Sequence, residues 1–119
     1  MSRNWLVPAN PKYYDIEHAF DEVNEIEWKQ GAGIKDGDIV YIYAAKPVQA
    51  VLFKCKVTKT WIPYYYRSKV LKIDHVMKIQ LLKRYPKGRF DYQTLRYDYM
   101  VSFIRGPRGV PEKLLKDLG

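Results

Sequence analysis

Glu27-Trp28-Lys29, with Asp15 and Asp21 upstream, supplies the residue types of a metal-dependent nuclease, in which a Glu-x-Lys and a second carboxylate hold magnesium against a phosphate. Such carboxylates must converge from paired strands. This spacing instead predicts that they lie on or just past an exposed helix face, so an enzyme using Glu27 and Asp21 is the second reading and not the first. His18 and His75 form no H-x-H or HExxH pattern, and no metal site is expected. Neither Ser68 nor Ser102 sits in a nucleophile elbow. Cys55 is the lone cysteine, with lysines on the strand face opposite its own, and reads as a half-buried structural thiol. Gly31-Ala32-Gly33 follows a helical pattern and precedes a strand, the reverse of a phosphate-cradling loop, and no cofactor is expected.

A binding chemistry is better represented. Trp61-Ile62-Pro63-Tyr64-Tyr65-Tyr66-Arg67-Ser68-Lys69 interleaves rings with cations, as a stacking platform beside a phosphate track requires. The charge distribution agrees. Residues 1–28 hold two basic and six acidic side chains, a balance of −4, whereas the other 91 hold nineteen basic and seven acidic, a balance of +12. An asymmetry of that size points to a polyanionic partner, because neutralising phosphates drives association. Fifteen per cent of the chain is aromatic and eleven residues are tyrosine, a surplus that suits partly wet surfaces as well as core.

The elements that must position these groups begin with Asp36-Gly37-Asp38-Ile39-Val40-Tyr41-Ile42-Tyr43. A turn signal followed by an uncharged β-branched and aromatic run predicts a strand buried on both faces. Its exit, Ala44-Ala45-Lys46-Pro47, is small and uncluttered and reads as the rim of a pocket. Trp5-Leu6-Val7 predicts a short strand before Pro8, with a turn at Ala9-Asn10-Pro11. Ile16, Ala19, Phe20 and Val23 predict an amphipathic helix capped by Asp15, its acidic face in water. Gln49 to Trp61 and Val76 to Leu82 alternate as half-buried strands, the residues from Trp61 to Lys69 form a loop, and Lys83 to Arg89 is a basic turn. Asp91 caps a helix that Phe90 and Leu95 staple, and Tyr99 to Ile104 reads as a last strand. Arg105 to Val110 is then a basic loop, and Pro111 opens a final helix on Leu114, Leu115 and Leu118.

At 119 residues this is one domain, 1–119, with a single core and no room for a second module. No apolar run of about eighteen residues could span a bilayer and no secretory h-region follows Met1, so a soluble, cytoplasmic monomer without membrane contact is expected.

Four segments in order, Trp5-Leu6-Val7-Pro8-Ala9-Asn10-Pro11, Trp28-Lys29-Gln30, Gly37 to Tyr43 and Ile104-Arg105-Gly106-Pro107-Arg108-Gly109-Val110-Pro111-Glu112, resemble the EVE domain family, a PUA-like group related to YTH and ASCH domains. The resemblance implies an α+β fold, a small mixed β-barrel of five to six strands with flanking helices, and a non-enzymatic module whose pocket takes one flipped, often modified, nucleobase in DNA or RNA. It also implies association with restriction-type nucleases. Carried over, Ala9, Asn10 and Pro11 would form one wall, Trp28 the leading ring, Tyr43, Ala44 and Ala45 the opposite rim, and Trp61 the closing ring of an aromatic cage. Asn10 and Gln30 would read the base edge, while Lys46, Arg67, Lys69, Arg105 and Arg108 would contact phosphates. The family's commoner pattern has Arg-Asn and His-Ser where Lys29-Gln30 and Ala44-Ala45 stand here, which leaves the modification open. A third reading is a protein-interaction module acting through the acidic helix.

Overall fold

β3, Ile39–Ala44, is buried on both faces, and the computed structural model, which describes residues 2–119, is built outward from it. Val40, Ile42 and Ala44 face one core, while Tyr41 and Tyr43 face another. The turn before it uses Gly37 at φ 88°, a left-handed conformation that costs glycine little. Next comes Asp38, 2% exposed, whose Oδ1 accepts the Arg3 amide at 2.9 Å. Its Oδ2 accepts the Trp5 indole and the Lys35 amide, both at 3.0 Å. Burial alone would raise the Asp38 pKa, but these N–H donors and the Arg3 charge outweigh it and hold the carboxyl below its usual range.

That carboxylate fixes β3 beside β1 (Asn4–Ala9), which runs parallel to it from Asn4 opposite Ile39 to Ala9 opposite Ala44. β4 (Ala50–Arg67) pairs antiparallel on the other side of β3, followed by β5 (Lys72–Arg84) and β2 (Glu25–Lys29). A two-residue β6, Arg108–Gly109, closes the far edge, giving the order β2-β5-β4-β3-β1-β6. The mixed sheet curls without closing, so that Trp5 and Val7 of β1 share a core with Ile26 and Trp28 of β2, although three strands lie between them in hydrogen-bonding order. On the convex face, Leu95 of α1 (Tyr92–Tyr99) and Leu114 and Leu118 of α2 (Glu112–Leu118) join Leu6, Tyr41, Tyr43, Val51, Tyr85 and Phe90 in a second core. This is the expected α+β architecture, with six strands and flanking helices among the described residues. Cys55 is fully buried, and desolvation pushes its thiol up to about 12, which leaves it without a thiolate at neutral pH.

Several elements differ from the sequence expectations. The acidic helix is a single 3-10 turn, Ile16–His18, and Asp15 makes no side-chain cap. The Asp15 carboxylate pairs with His18 Nδ1 at 2.8 Å instead, and Arg84 takes the Phe20 carbonyl at 2.7 Å, away from any continuing helix. Ile16 and Phe20 are buried by that one turn, and Val23 is left exposed. The residues after it, Glu25 to Lys29, form an edge strand on β5 and not a helix exit. Residues 61–67, expected in a loop, belong to β4, and register shifts between Lys59 and Ile62 and between Pro63 and Tyr66 break the alternation by which a strand is recognised. Tyr99 to Ile104 forms no strand: α1 ends on Met100 in a left-handed cap, and the β1 edge is taken by Arg108 and Gly109. The Asp91 cap is present, accepting the Thr94 amide at 2.9 Å.

Candidate nucleic-acid interface

The curl of the sheet leaves a cavity of about 350 Å3 between the end of β1, the β2 edge and the start of β5, within the range of small-ligand sites. Trp28 projects from β2 into it, half-buried against the concave core, and Tyr14 meets the indole edge to face at 5.1 Å and 85°. That contact fixes the ring in place. Tyr13 and Tyr14 come from the turn after β1, whose geometry is set by Asn10. The Asn10 carbonyl accepts the amides of Tyr13 at 3.0 Å and Tyr14 at 3.2 Å, and its side-chain Oδ1 accepts the Lys12 amide at 3.0 Å. Asn10 lines the cavity, and among the described residues its Nδ2 makes no hydrogen bond to the chain, leaving a donor free. Burial and the neighbouring Asp15 carboxylate raise the Tyr14 phenol above its ordinary pKa, so it too stays a neutral donor.

Charge is divided across this opening. Glu27 and Lys29 both line the β2 wall, and Asp15, paired with His18, adjoins Tyr14, so charges of both signs meet on that side. On the hairpin side, Tyr64, Leu71 and Ile73 line the wall, with exposed Lys69 and Lys72 at the tip. The excess of positive charge therefore lies on the hairpin, which favours phosphates there over the mixed β2 edge.

The predicted site residues separate into groups. Asn10 and Trp28 meet in the cavity. Ala9 and Ala44 are buried opposite each other in the sheet, and Ala45 donates its amide to the Ala9 carbonyl at 2.8 Å, so these residues hold the strands together and do not line the cavity. Pro11 is half-buried in the turn and does not line the cavity. Tyr43 lies in the second core, on the far face of the sheet, because the neighbours that alternate with it, Ile42 and Ala44, face the concave side. It cannot stack on a ligand beside Trp28. Trp61 stands outside, 52% exposed at a positive φ of 53°, edge to face with His75 at 5.4 Å. Gln30 is consumed internally: Nε2 donates to the carbonyls of Gly31 at 2.9 Å and Ile34 at 3.1 Å, and Oε1 accepts the Trp61 amide at 2.8 Å. It is a brace between the turn after β2 and the bulge in β4. Gln30→Ala should therefore lower stability by about 1–2 kcal/mol, read as a reduced urea midpoint, without changing ligand discrimination.

Among the proposed phosphate contacts, Lys46, Lys69, Arg105 and Arg108 are exposed. Arg67 is tied to Asp74 and to the carbonyls of Tyr66 and Ile73, which makes it a staple of the hairpin end. Sequence reasoning missed Tyr13, Tyr14 and Lys29 as lining residues. The signal available was the Tyr-Tyr pair directly after a proline turn, an unusual place for two rings without a surface to serve.

Glu27 lines the cavity but Asp21 does not, and among the described residues no three His, Cys, Asp or Glu side chains converge as a metal site needs. Among the described residues no helix is long and apolar enough to cross a membrane.

No protein-family model matches the sequence, and neither does any curated protein. Solved structures do share the fold. The ASCH protein of Zymomonas mobilis superposes at a TM-score of 0.63 with 8% identity, over 98% of this chain and 93% of that one. A hypothetical protein from Leishmania major gives 0.65 with 11% identity, over 99% and 92%. Protein Atu2648 from Agrobacterium tumefaciens gives 0.65 with 18% identity, over 98% and 90%. At these identities the likeness is one of fold alone.

Proposed function

We propose that this chain is a non-enzymatic nucleic-acid-binding module of the EVE type that receives one flipped, modified base against Trp28. The observation that carries this reading is the Trp28 indole, held by Tyr14 in a largely apolar cavity that Asn10 also lines. Extruding a base costs a few kcal/mol, and stacking at roughly 1–3 kcal/mol per base offsets much of it. A buried methyl adds about 0.8 kcal/mol, a preference of roughly fourfold, so shape must supply the rest of any discrimination. Asn10 Nδ2 donates to an acceptor on the base edge, and the exposed cations supply affinity without sequence. Association with a nuclease partner and a cytoplasmic setting belong to the same reading.

A second reading rests on one feature, that Glu27 and Lys29 line the same cavity from a paired strand. Titrating unmodified and methylated oligonucleotides of DNA and RNA, followed by tryptophan quenching, and incubating the same oligonucleotides with magnesium or manganese separates the two. The binding module gives preference for one modified base and leaves the strands intact. Cleavage that disappears in Glu27→Gln would move the assignment to the enzyme. The third alternative, an acidic docking helix, has lost its element: Glu17 is paired with Lys87, and the segment is a turn.

A further inference from the structure

We infer that the ligand is a single strand of at least two nucleotides, whose second base lies in a concavity on the β4–β5 hairpin; this rests on the base-binding reading of the Trp28 cavity. The concavity, about 440 Å3, adjoins that cavity: Tyr13, Tyr64, Leu71 and Ile73 line both. Tyr66 and Val70 extend it toward the hairpin tip. A base against Trp28 thus has its neighbour across a shared wall.

The residues there suit a base better than a packing role. Tyr64 and Tyr66 are 46% and 44% exposed, and among the described residues neither ring meets another aromatic. Beyond Trp61 the hairpin carries large apolar side chains in water, including Tyr65 and Val70, an arrangement that marks an interaction surface. Exposed Lys69 and Lys72 at the tip favour a phosphate on this side, whereas the β2 side sets Glu27 against Lys29 and Asp15 against His18 and offers no excess of cation. Stacking two successive bases on separate protein rings requires both to be unpaired, so the arrangement selects a single strand over a duplex.

The test compares mononucleotides, dinucleotides and tetranucleotides carrying unmodified or methylated adenine or cytosine, as DNA and as RNA, with each tetranucleotide also placed in a duplex. Binding is measured by calorimetry to the wild type, Tyr66→Ala, Tyr66→Phe and Tyr65→Ala. Tyr65 does not line either concavity. The dinucleotide should bind about tenfold more tightly than the mononucleotide, and the duplex more weakly than the single strand. Tyr66→Ala should remove that gain and leave mononucleotide binding unchanged, whereas Tyr66→Phe and Tyr65→Ala should retain it. Mononucleotide binding with no gain on lengthening, a gain that survives Tyr66→Ala, or equal binding of the duplex overturns this inference while leaving the Trp28 site standing. Failure to bind nucleotides of any length overturns both.

Discussion

Trp28→Ala should lose 5- to 150-fold in affinity for the preferred modified oligonucleotide and with it the preference itself, while weak, strongly salt-dependent binding persists. The range is the value of one base stacked on one ring, about 1–3 kcal/mol. The residual binding comes from the exposed cations at Lys46, Lys69, Arg105 and Arg108, none of which depends on the indole. Because phosphate contacts release counterions, this residue of affinity should fall steeply between low and moderate salt, and equally for modified and unmodified strands. Trp28 also packs on Tyr14 and the concave core, so its truncation loosens the fold as well. Trp28→Phe separates the two effects, since it keeps a ring for the base and most of the packing. The expected order is wild type, then Phe, then Ala in discrimination, with thermal midpoints of wild type and Phe close together. Discrimination unchanged in Trp28→Ala would remove the indole from the site, and the base-binding reading would go with it.

How much of this arrangement was legible in the sequence depended on whether a single rule governed each segment. β3 was readable because no side chain in it is charged and it is buried on both sides. The Asp91 cap and the inward leucines of α2 follow equally local rules, and Leu114 and Leu118 are fully buried. The 3.6-residue spacing of Ile16, Ala19, Phe20 and Val23 misled, because one turn suffices to bury Ile16 and Phe20, and tertiary hydrogen bonds then take the backbone elsewhere. The β4–β5 hairpin escaped notice because register shifts remove the period of two, although the residues singled out there for stacking included Tyr64 and Tyr66. Tyr43 shows the limit of reading a strand exit as a rim. Alternation tells which residues share a face with Tyr43 but not which face curls around the cavity, and that is settled by β1 and β2 meeting across the three strands between them.

The largest stability effect is expected at Asp38, which joins the start of β3 to the start of β1 and so sets the register that brings Pro8 and Asn10 to the cavity. Two carboxylate oxygens receive three N–H donors, from Arg3, Trp5 and Lys35. Asp38→Ala strands all three, the Trp5 indole in a buried place and the two amides where water reaches in part, and at about 1–3 kcal/mol for each unsatisfied group, partly relieved by that water, the loss should be on the order of 3–5 kcal/mol. That corresponds to a drop of roughly 10 °C or more in the thermal midpoint. Asp38→Asn should recover only part of it, because its amide nitrogen would face a donor. The two substitutions also differ from wild type in their response to acid. Since the native pKa of Asp38 is depressed, its contribution is complete above the unfolded carboxylate value and is lost as the pH falls through the native one. Thermal melts of wild type from neutral pH into strong acid should therefore steepen below about pH 4, whereas Asp38→Asn, lower at neutral pH, should decline more gently and converge with wild type in acid. Parallel curves across that range would mean that Asp38 carries no net charge-dependent stabilisation, and that the β1–β3 register is held by the backbone ladder alone.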